Sequence, residues 1–245
     1  MYPKIYGFNK SSEAGPDNFA PSVFLGGCNF RCDYCMNAKL VLEFGSLPEI
    51  SIETVKQFVK ENNCEWINIS GGEITVHPES ELIHMLVEMR KWGCKIAIST
   101  NGFMPDSLLR ILPLTNYVTM DIKTGQDKYD EIVHAPLRKG FSANSNILKS
   151  LYLIRMHQLT TQLITKDFDY ELRTTMYRPM VGESEIEEIG MLLRRDEKWI
   201  LQPFRQAKCM IGDVAHEVEP YTEEEMGNLL KLARKYSDKA IVRYV

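Results

Sequence analysis

The sequence predicts an α/β protein built on parallel strands, and three observations carry that expectation. Six short apolar runs alternate with stretches of helical periodicity, and a strand joined to a parallel neighbour needs a crossover that is usually a helix. The residue groups that look chemical stand at the ends of the first four runs: a cysteine-bearing stretch after Ser22-Val23-Phe24-Leu25, Gly71-Gly72-Glu73 after Trp66-Ile67-Asn68-Ile69-Ser70, Asn101-Gly102 after Lys95-Ile96-Ala97-Ile98-Ser99-Thr100, and Asp121 with Lys123 closing Tyr117-Val118-Thr119-Met120-Asp121. In α/β barrels that edge is the active face. Finally, 245 residues, 44% hydrophobic and 25% charged, suit an α/β barrel folded as one domain.

Composition narrows the function classes. A formal net charge of -4 provides no basic field, so nucleic acid is not an expected partner. The N-terminal stretch is polar and contains Pro3, Gly15 and Pro16. No later apolar run approaches the roughly 18 residues of a membrane span, so a cytoplasmic protein without a membrane partner is expected.

Residues 1–20 open on Lys4-Ile5-Tyr6-Gly7-Phe8, pass through a turn-rich stretch from Ser11 to Asn18, and read as an N-terminal extension. A barrel core over 21–205 and a C-terminal helix with an edge strand over 206–245 complete the expected single domain, since no linker, repeat or low-complexity segment divides it. The first strand, Ser22 to Leu25, runs into Gly26-Gly27-Cys28-Asn29-Phe30-Arg31-Cys32-Asp33-Tyr34-Cys35. Neither helical nor strand periodicity places Cys28, Cys32 and Cys35 on one face, so a loop must curl around whatever they bind. Gly26 and Gly27 permit the unusual φ and close backbone approach of such a loop. Four thiolates would close an iron–sulfur cube, whereas three leave one iron open; catalytic zinc keeps an open position by the same logic. The alternatives are a structural zinc site borrowing Cys64, Cys94 or Cys209, and a disulfide. Zinc motifs usually bring cysteines in two spaced pairs, and an intracellular protein keeps its thiols reduced. Cys64, Cys94 and Cys209 stand singly in apolar surroundings, where buried packing is expected.

The spacing CxxxCxΦC, with Tyr34 as the aromatic residue before the last cysteine, resembles the radical S-adenosylmethionine (SAM) superfamily. The resemblance implies a [4Fe–4S] cluster held by Cys28, Cys32 and Cys35. Its open iron would be chelated by the amino and carboxylate groups of SAM, and one electron would cleave the sulfonium to methionine and a 5′-deoxyadenosyl radical. The cofactors carry this chemistry, and the protein supplies placement, electron access and shelter. The apolar-Gly-Cys-Asn step and the Met36-Asn37 pair after Cys35 are further similar to the activating enzymes of glycyl-radical enzymes.

Ser51 caps a predicted helix whose Ile52, Val55, Phe58 and Val59 keep helical spacing until Asn62-Asn63. Trp66 to Ser70 is the second strand. Gly71-Gly72-Glu73 after it matches the family motif, whose backbone and acidic side chain receive the methionyl ammonium. Pro78 suits a first helical turn, Leu82, Ile83, Leu86 and Met89 form an apolar stripe, and Gly93 suits the position past the helix end. The third strand, Lys95 to Thr100, closes in Asn101-Gly102; Thr-Asn-Gly is common in the family. Ser99 stands where glycyl-radical activators carry an Asp that helps hold a monovalent cation.

A short helix through Leu108, Leu109 and Leu112 stops at Pro113, and Tyr117 to Asp121 is the fourth strand. Strand alternation points Asp121 and Lys123 the same way, so carboxylate and ammonium can address one ligand. Asp-x-Lys matches the activating enzymes, where the pair contacts the methionyl and ribose portions of SAM; a surface ion pair is the alternative. A short helix over Tyr129 to Val133 precedes a stretch from Ala135 to Ala143 with Arg138 and Lys139, read as a loop that meets a partner. Asn144 to Gln158, extending to Leu163, is helical. The fifth strand, Tyr170-Glu171-Leu172-Arg173-Thr174-Thr175, carries a stretch that recurs in anaerobic reductase activators, and Arg173 would bind the SAM carboxylate or ribose or else serve an ion pair. Ser184 with Glu187 predicts a capping box for the helix through Ile189, Leu192 and Leu193. Trp199-Ile200-Leu201-Gln202 is the sixth strand; Gln202 or Arg205 would take the place of a histidine found near the adenine in pyruvate formate-lyase activators. Thr222 with Glu225 caps a last helix, and Ile241-Val242-Arg243 adds an edge strand.

With this resemblance the fold expectation becomes the partial (β/α)6 barrel of radical SAM type, open on one side to a large substrate. The resemblance spans nearly the whole chain and runs nearest to activating proteins of anaerobic ribonucleotide reductases. It implies an oxidoreductase that abstracts a glycine Cα hydrogen from a partner glycyl-radical enzyme, with an electron donor such as flavodoxin or ferredoxin. Two other readings remain open here: a small-molecule enzyme of the 7-carboxy-7-deazaguanine synthase type, and a non-catalytic iron–sulfur carrier or redox sensor.

Overall fold

The structure, a computed structural model, describes residues 1–12, 20–134, 142–165 and 167–244. Its strands are β1 (Ile5–Ser12), β2 (Ala20–Leu25), β3 (Trp66–Gly71), β4 (Lys95–Thr100), β5 (Tyr117–Asp121), β6 (Asp169–Met176), β7 (Trp199–Pro203) and β8 (Ile241–Val242). Its helices are α1 (Ala38–Leu42), α2 (Ile52–Glu61), α3 (Glu79–Lys91), α4 (Pro105–Ile111), α5 (Tyr129–Ile132), α6 (Ala143–Ile164), α7 (Glu183–Leu192) and α8 (Glu223–Ala233). The six expected strands are β2 to β7, and the expected edge strand is β8. The stretch assigned to a partner-facing loop, with Arg138 and Lys139, lies outside the described residues at 135–141.

The chain forms two compact units: Met1–Asn29, Asn37–Thr119 and Asn146–Tyr170 in one, Phe30–Met36, Met120–Ser145 and Glu171–Val245 in the other. In the first, strand neighbours follow chain order from β1 to β5. β2 pairs with β3 and β3 with β4, both parallel. Val23, Leu25, Ile67, Ile69, Ile96 and Ile98 share one face of the sheet and are fully buried, and Ser22, Asn68 and Ala97 on the opposite face are buried too, so both faces of this parallel sheet are covered. The stripe of α3 contributes Leu82, Leu86 and Met89, with Met85 added. Asn116 ties the start of β5: its Oδ1 accepts from Ile96 N at 3.0 Å and its Nδ2 donates to Asp167 Oδ2 at 2.8 Å.

Several expectations need correction in this unit. The N-terminal stretch is not merely an extension, because Ile5–Ser12 forms β1, antiparallel to β2. Its alternation is weakened by Gly7 and Asn9, yet Phe8 packs edge-on against Phe58 of α2 at 5.3 Å, which gives the strand an apolar anchor. Pro78 precedes α3 as its N-cap rather than entering the first turn. The helix expected through Leu112 ends at Ile111, and Leu112–Leu114 continues as a 3-10 turn through Pro113. Two signals read as expected: Ser51 Oγ accepts from Thr54 N at 3.1 Å, and Gly93 has φ 91° just beyond α3.

In the second unit β6, β7 and β8 are parallel neighbours. Trp199 is fully buried and its indole N–H donates to Thr174 Oγ1 at 3.0 Å. Glu171, also buried, accepts a bidentate pair from Arg243 at 2.7 and 2.9 Å and a contact from Lys198 at 3.2 Å, which anchors β8. The capping box of α8 forms as expected between Thr222 and Glu225. That of α7 does not use Ser184 and Glu187: Gly182 is the N-cap and Glu185 accepts its N–H at 2.7 Å. A glutamate stands three residues beyond both Gly182 and Ser184, and the chain takes the earlier register.

Candidate active site

The first unit carries Cys28, Asn29, Gly71, Gly72, Glu73, Ser99 and Asn101, gathered at the C-terminal ends of β2, β3 and β4. Close approach sets this edge. A side chain at Gly72 would place its Cβ 1.7 Å from Gly27 O, and one at Gly71, where φ is 118°, would meet the Leu25 backbone at 2.4 Å. Glu73 N donates to Gly27 O at 2.8 Å and Gly72 N to Leu25 O at 2.9 Å, so the glycine pair is laced directly to the entry of the cysteine stretch. The ring of Phe44 lies over Gly26, where any Cβ would strike it at 2.5 Å.

The Glu73 carboxylate turns inward. It accepts from Thr75 N at 3.1 Å, Thr75 Oγ1 at 2.6 Å, Thr100 Oγ1 at 2.7 Å and Asn101 N at 2.6 Å. Burial pushes its pKa up, with these donors opposing. Three of these donors share Oε1 and Asn101 N takes Oε2, so the buried carboxylate is held within the first unit. Asn101 in turn donates from Nδ2 to Asn29 Oδ1 at 2.7 Å and reaches Cys28 Sγ at 3.9 Å. Asn29 Nδ2 is buried without a partner. Ser99 is buried on β4.

The second unit carries Cys32, Tyr34, Cys35, Asp121, Lys123, Arg173, Gln202 and Arg205. Asp121 sits between two cations: Lys123 Nζ donates to its Oδ2 at 2.8 Å and Arg173 Nε to its Oδ1 at 2.6 Å. Burial alone would raise the Asp121 carboxyl, but Arg173 and Lys123 together outweigh it and hold it well below the usual carboxylate range. The pairing uses one nitrogen of the guanidinium and leaves its terminal amino groups, and the group carries one net positive charge. That suits a ligand carboxylate. Lys123 lies 6.0 Å from the centre of the Tyr34 ring, and its backbone N–H donates to the Tyr129 hydroxyl at 2.9 Å.

Cys32 is buried, which pushes its thiol up to about 11, while Lys123 opposes that rise and favours the thiolate. Tyr34 is buried against Tyr177, with ring centroids 5.0 Å apart. Its hydroxyl has no partner of full hydrogen-bond geometry and lies near the Cys32 thiol, whose rise it offsets slightly. Gln202 Oε1 is also buried without a partner, and Arg205 is exposed. Gly212 N donates to Asp33 O at 3.0 Å, so the segment after β7 is seated on the cysteine stretch.

None of the three motif cysteines is in a disulfide. Among the described residues no three or more His, Cys, Asp or Glu side chains gather as around a single metal ion. A zinc site requires its thiolates at about 2.3 Å from one centre, whereas a cube takes one thiolate per iron. The other cysteines depart from the expected buried packing: only Cys94 is buried, its thiol donating to Cys64 O at 3.4 Å, while Cys64 is half-buried and Cys209 exposed. Asn29 and Thr100 stand in the Gly-Cys-Asn and Thr-Asn-Gly steps that the sequence singles out, though without a role at the site; sequence reasoning missed Thr75, Tyr129 and Tyr177, of which only Thr75, two residues beyond Glu73, carried a local signal.

Residues 22–190 match the Radical SAM superfamily. The chain belongs to the radical SAM superfamily. As a radical SAM enzyme it takes SAM and a [4Fe–4S] cluster as cofactors. It is 27% identical over 232 residues to a Methanocaldococcus jannaschii protein named as a candidate glycyl-radical enzyme activating enzyme, a match covering 94% of this chain and 91% of that one. It is 29% identical over 124 residues to the pyruvate formate-lyase-activating enzyme of Clostridium pasteurianum, covering 49% of this chain and 52% of the relative. Among solved structures, a domain of the pyruvate-formate lyase-activating enzyme from Bacteroides vulgatus superposes with a TM-score of 0.52 at 17% identity, covering 73% of this chain and 98% of the other. The expected α/β, partial-barrel class is therefore the radical SAM fold.

Proposed function

We propose that this radical SAM enzyme abstracts a hydrogen atom from a glycine Cα of a partner glycyl-radical enzyme. The observation that carries the reading is the match to the activating-enzyme relative along nearly the full length of both chains. Cys28, Cys32 and Cys35 would hold the cluster. When bound and reduced by one electron, cluster and SAM together supply a 5′-deoxyadenosyl radical. Lys123 and Arg173 bind the SAM carboxylate and are kept charged by Asp121. The backbone of Gly71 to Glu73 receives the ammonium, and Gln202 offers its unpartnered oxygen to the adenine amine. Tyr34 walls the site and, with Tyr177, excludes water from it. Glycine suits as the target because it lacks a side chain, so a backbone loop carrying it can enter a narrow site. An electron donor such as flavodoxin or ferredoxin and a cytoplasmic, anaerobic setting belong to this proposal; no helix among the described residues is long and apolar enough to cross a membrane.

The test is anaerobic incubation of the reduced protein with SAM and a glycyl-radical enzyme encoded beside it, read by electron paramagnetic resonance. A glycyl doublet is expected. Turnover of a small pterin without any doublet would replace this reading with that of a small-molecule enzyme.

A further inference from the structure

Helix α6 is apolar on two opposite faces. Ile147, Leu151 and Ile154 are buried in the first unit, whereas Tyr152, Met156, Leu159 and Leu163 are exposed at 59%, 40%, 53% and 81%. The exposed residues step by four, three and four positions, the a/d rhythm of a coiled-coil seam, and Ile154 falls at the position opposite the seam, facing the core. A solvent-facing helix surface normally carries charge. From Met156 to Thr165 this one reads Met-His-Gln-Leu-Thr-Thr-Gln-Leu-Ile-Thr, without Asp, Glu, Lys or Arg. Depletion of charge beside exposed large side chains is the composition of an interface centre.

We propose that α6 pairs, antiparallel, with α6 of a second copy of this chain. The stripe is self-complementary about its middle. Antiparallel pairing centred between His157 and Gln158 sets Tyr152 against Leu163 of the second copy and Met156 against Leu159, the a-to-d layers such pairs form. Within these four layers the flanking positions set Arg155 beside Gln162 and Leu153 beside Thr160, so no like charges meet there, and Lys149, the preceding position of the same rhythm, is paired with Asp106 at 2.7 Å. Four layers on one helix reach only the lower end of specific interfaces, about 1,000 Å², so the dimer is weak, with a Kd on the order of micromolar.

Sedimentation of the cluster-loaded full chain from about 1 to 200 µM tests this, with circular dichroism melting to confirm that each variant folds. The wild type should pass from monomer to dimer, and Met156→Glu and Leu159→Lys should each remain monomeric to concentrations at least tenfold higher. The control Leu109→Glu, an exposed residue of α4, should dimerise as the wild type does. Mixing the first two variants should restore the dimer, because the antiparallel register puts the introduced carboxylate of one copy against the introduced ammonium of the other. A wild type that stays monomeric throughout overturns the proposal, including the case in which the same variants lose only their response to a different protein. Dimers that the mixture fails to restore overturn the antiparallel register.

Discussion

At the scale of single residues, charge balance around Asp121 separates binding from folding. Lys123→Ala leaves the Arg173–Asp121 pair intact, so SAM affinity should fall by about 1–3 kcal/mol with little change in melting temperature, as calorimetric titration would show. Asp121→Asn instead leaves two half-buried cations facing each other and should lower stability by about 1–3 kcal/mol in urea titrations. The pH dependence has a definite sign. Asp121 is depressed in the folded state, so its contribution is full above the ordinary carboxylate range and is lost only as pH falls through the lower folded value. The wild type should therefore show a steep acid limb of stability that Asp121→Asn flattens. Glu73→Gln tests the inward-turned carboxylate: the new amide nitrogen would face hydroxyl and amide donors, so a loss of about 2–3 kcal/mol is expected in the urea midpoint.

At the scale of elements, backbone proximity decides which glycines matter. Gly72→Ala should abolish the folded first unit, because the added methyl would sit inside the Gly27 carbonyl, a backbone group with no rotamer to yield. Gly93→Ala meets open space and only the strain of φ 91°, so a loss of about 1 kcal/mol should appear as a small shift in melting temperature. The sequence marks both as glycines after a regular element; the difference between them is the neighbour that arrives from far along the chain. The same holds for β1, whose irregular pattern reads only as part of an N-terminal extension until β2 and Phe58 provide partners.

At the scale of the whole molecule, the cysteine assignment predicts iron content. Alanine at Cys28, Cys32 or Cys35 should remove most iron and sulfide and all SAM cleavage, whereas alanine at Cys64, Cys94 or Cys209 should leave both intact, measured by metal analysis and visible absorbance. Loss of iron on changing Cys209 would point to a four-thiolate carrier. The sequence alone determined the parallel strands, the helix caps at Ser51 and Thr222, and the motifs at strand ends, because hydrophobic period, capping chemistry and ligand spacing are local properties. Tertiary structure decided what those motif residues touch. Glu73 is spent on Thr75, Thr100 and Asn101, Arg173 joins Lys123 across Asp121, and Tyr129 takes the Lys123 amide. Each of these except the Thr75 and Tyr129 contacts joins residues that come together only when strands or helices assemble, and a carboxylate's partners, unlike its position in a motif, depend on which donors folding brings within about 3 Å.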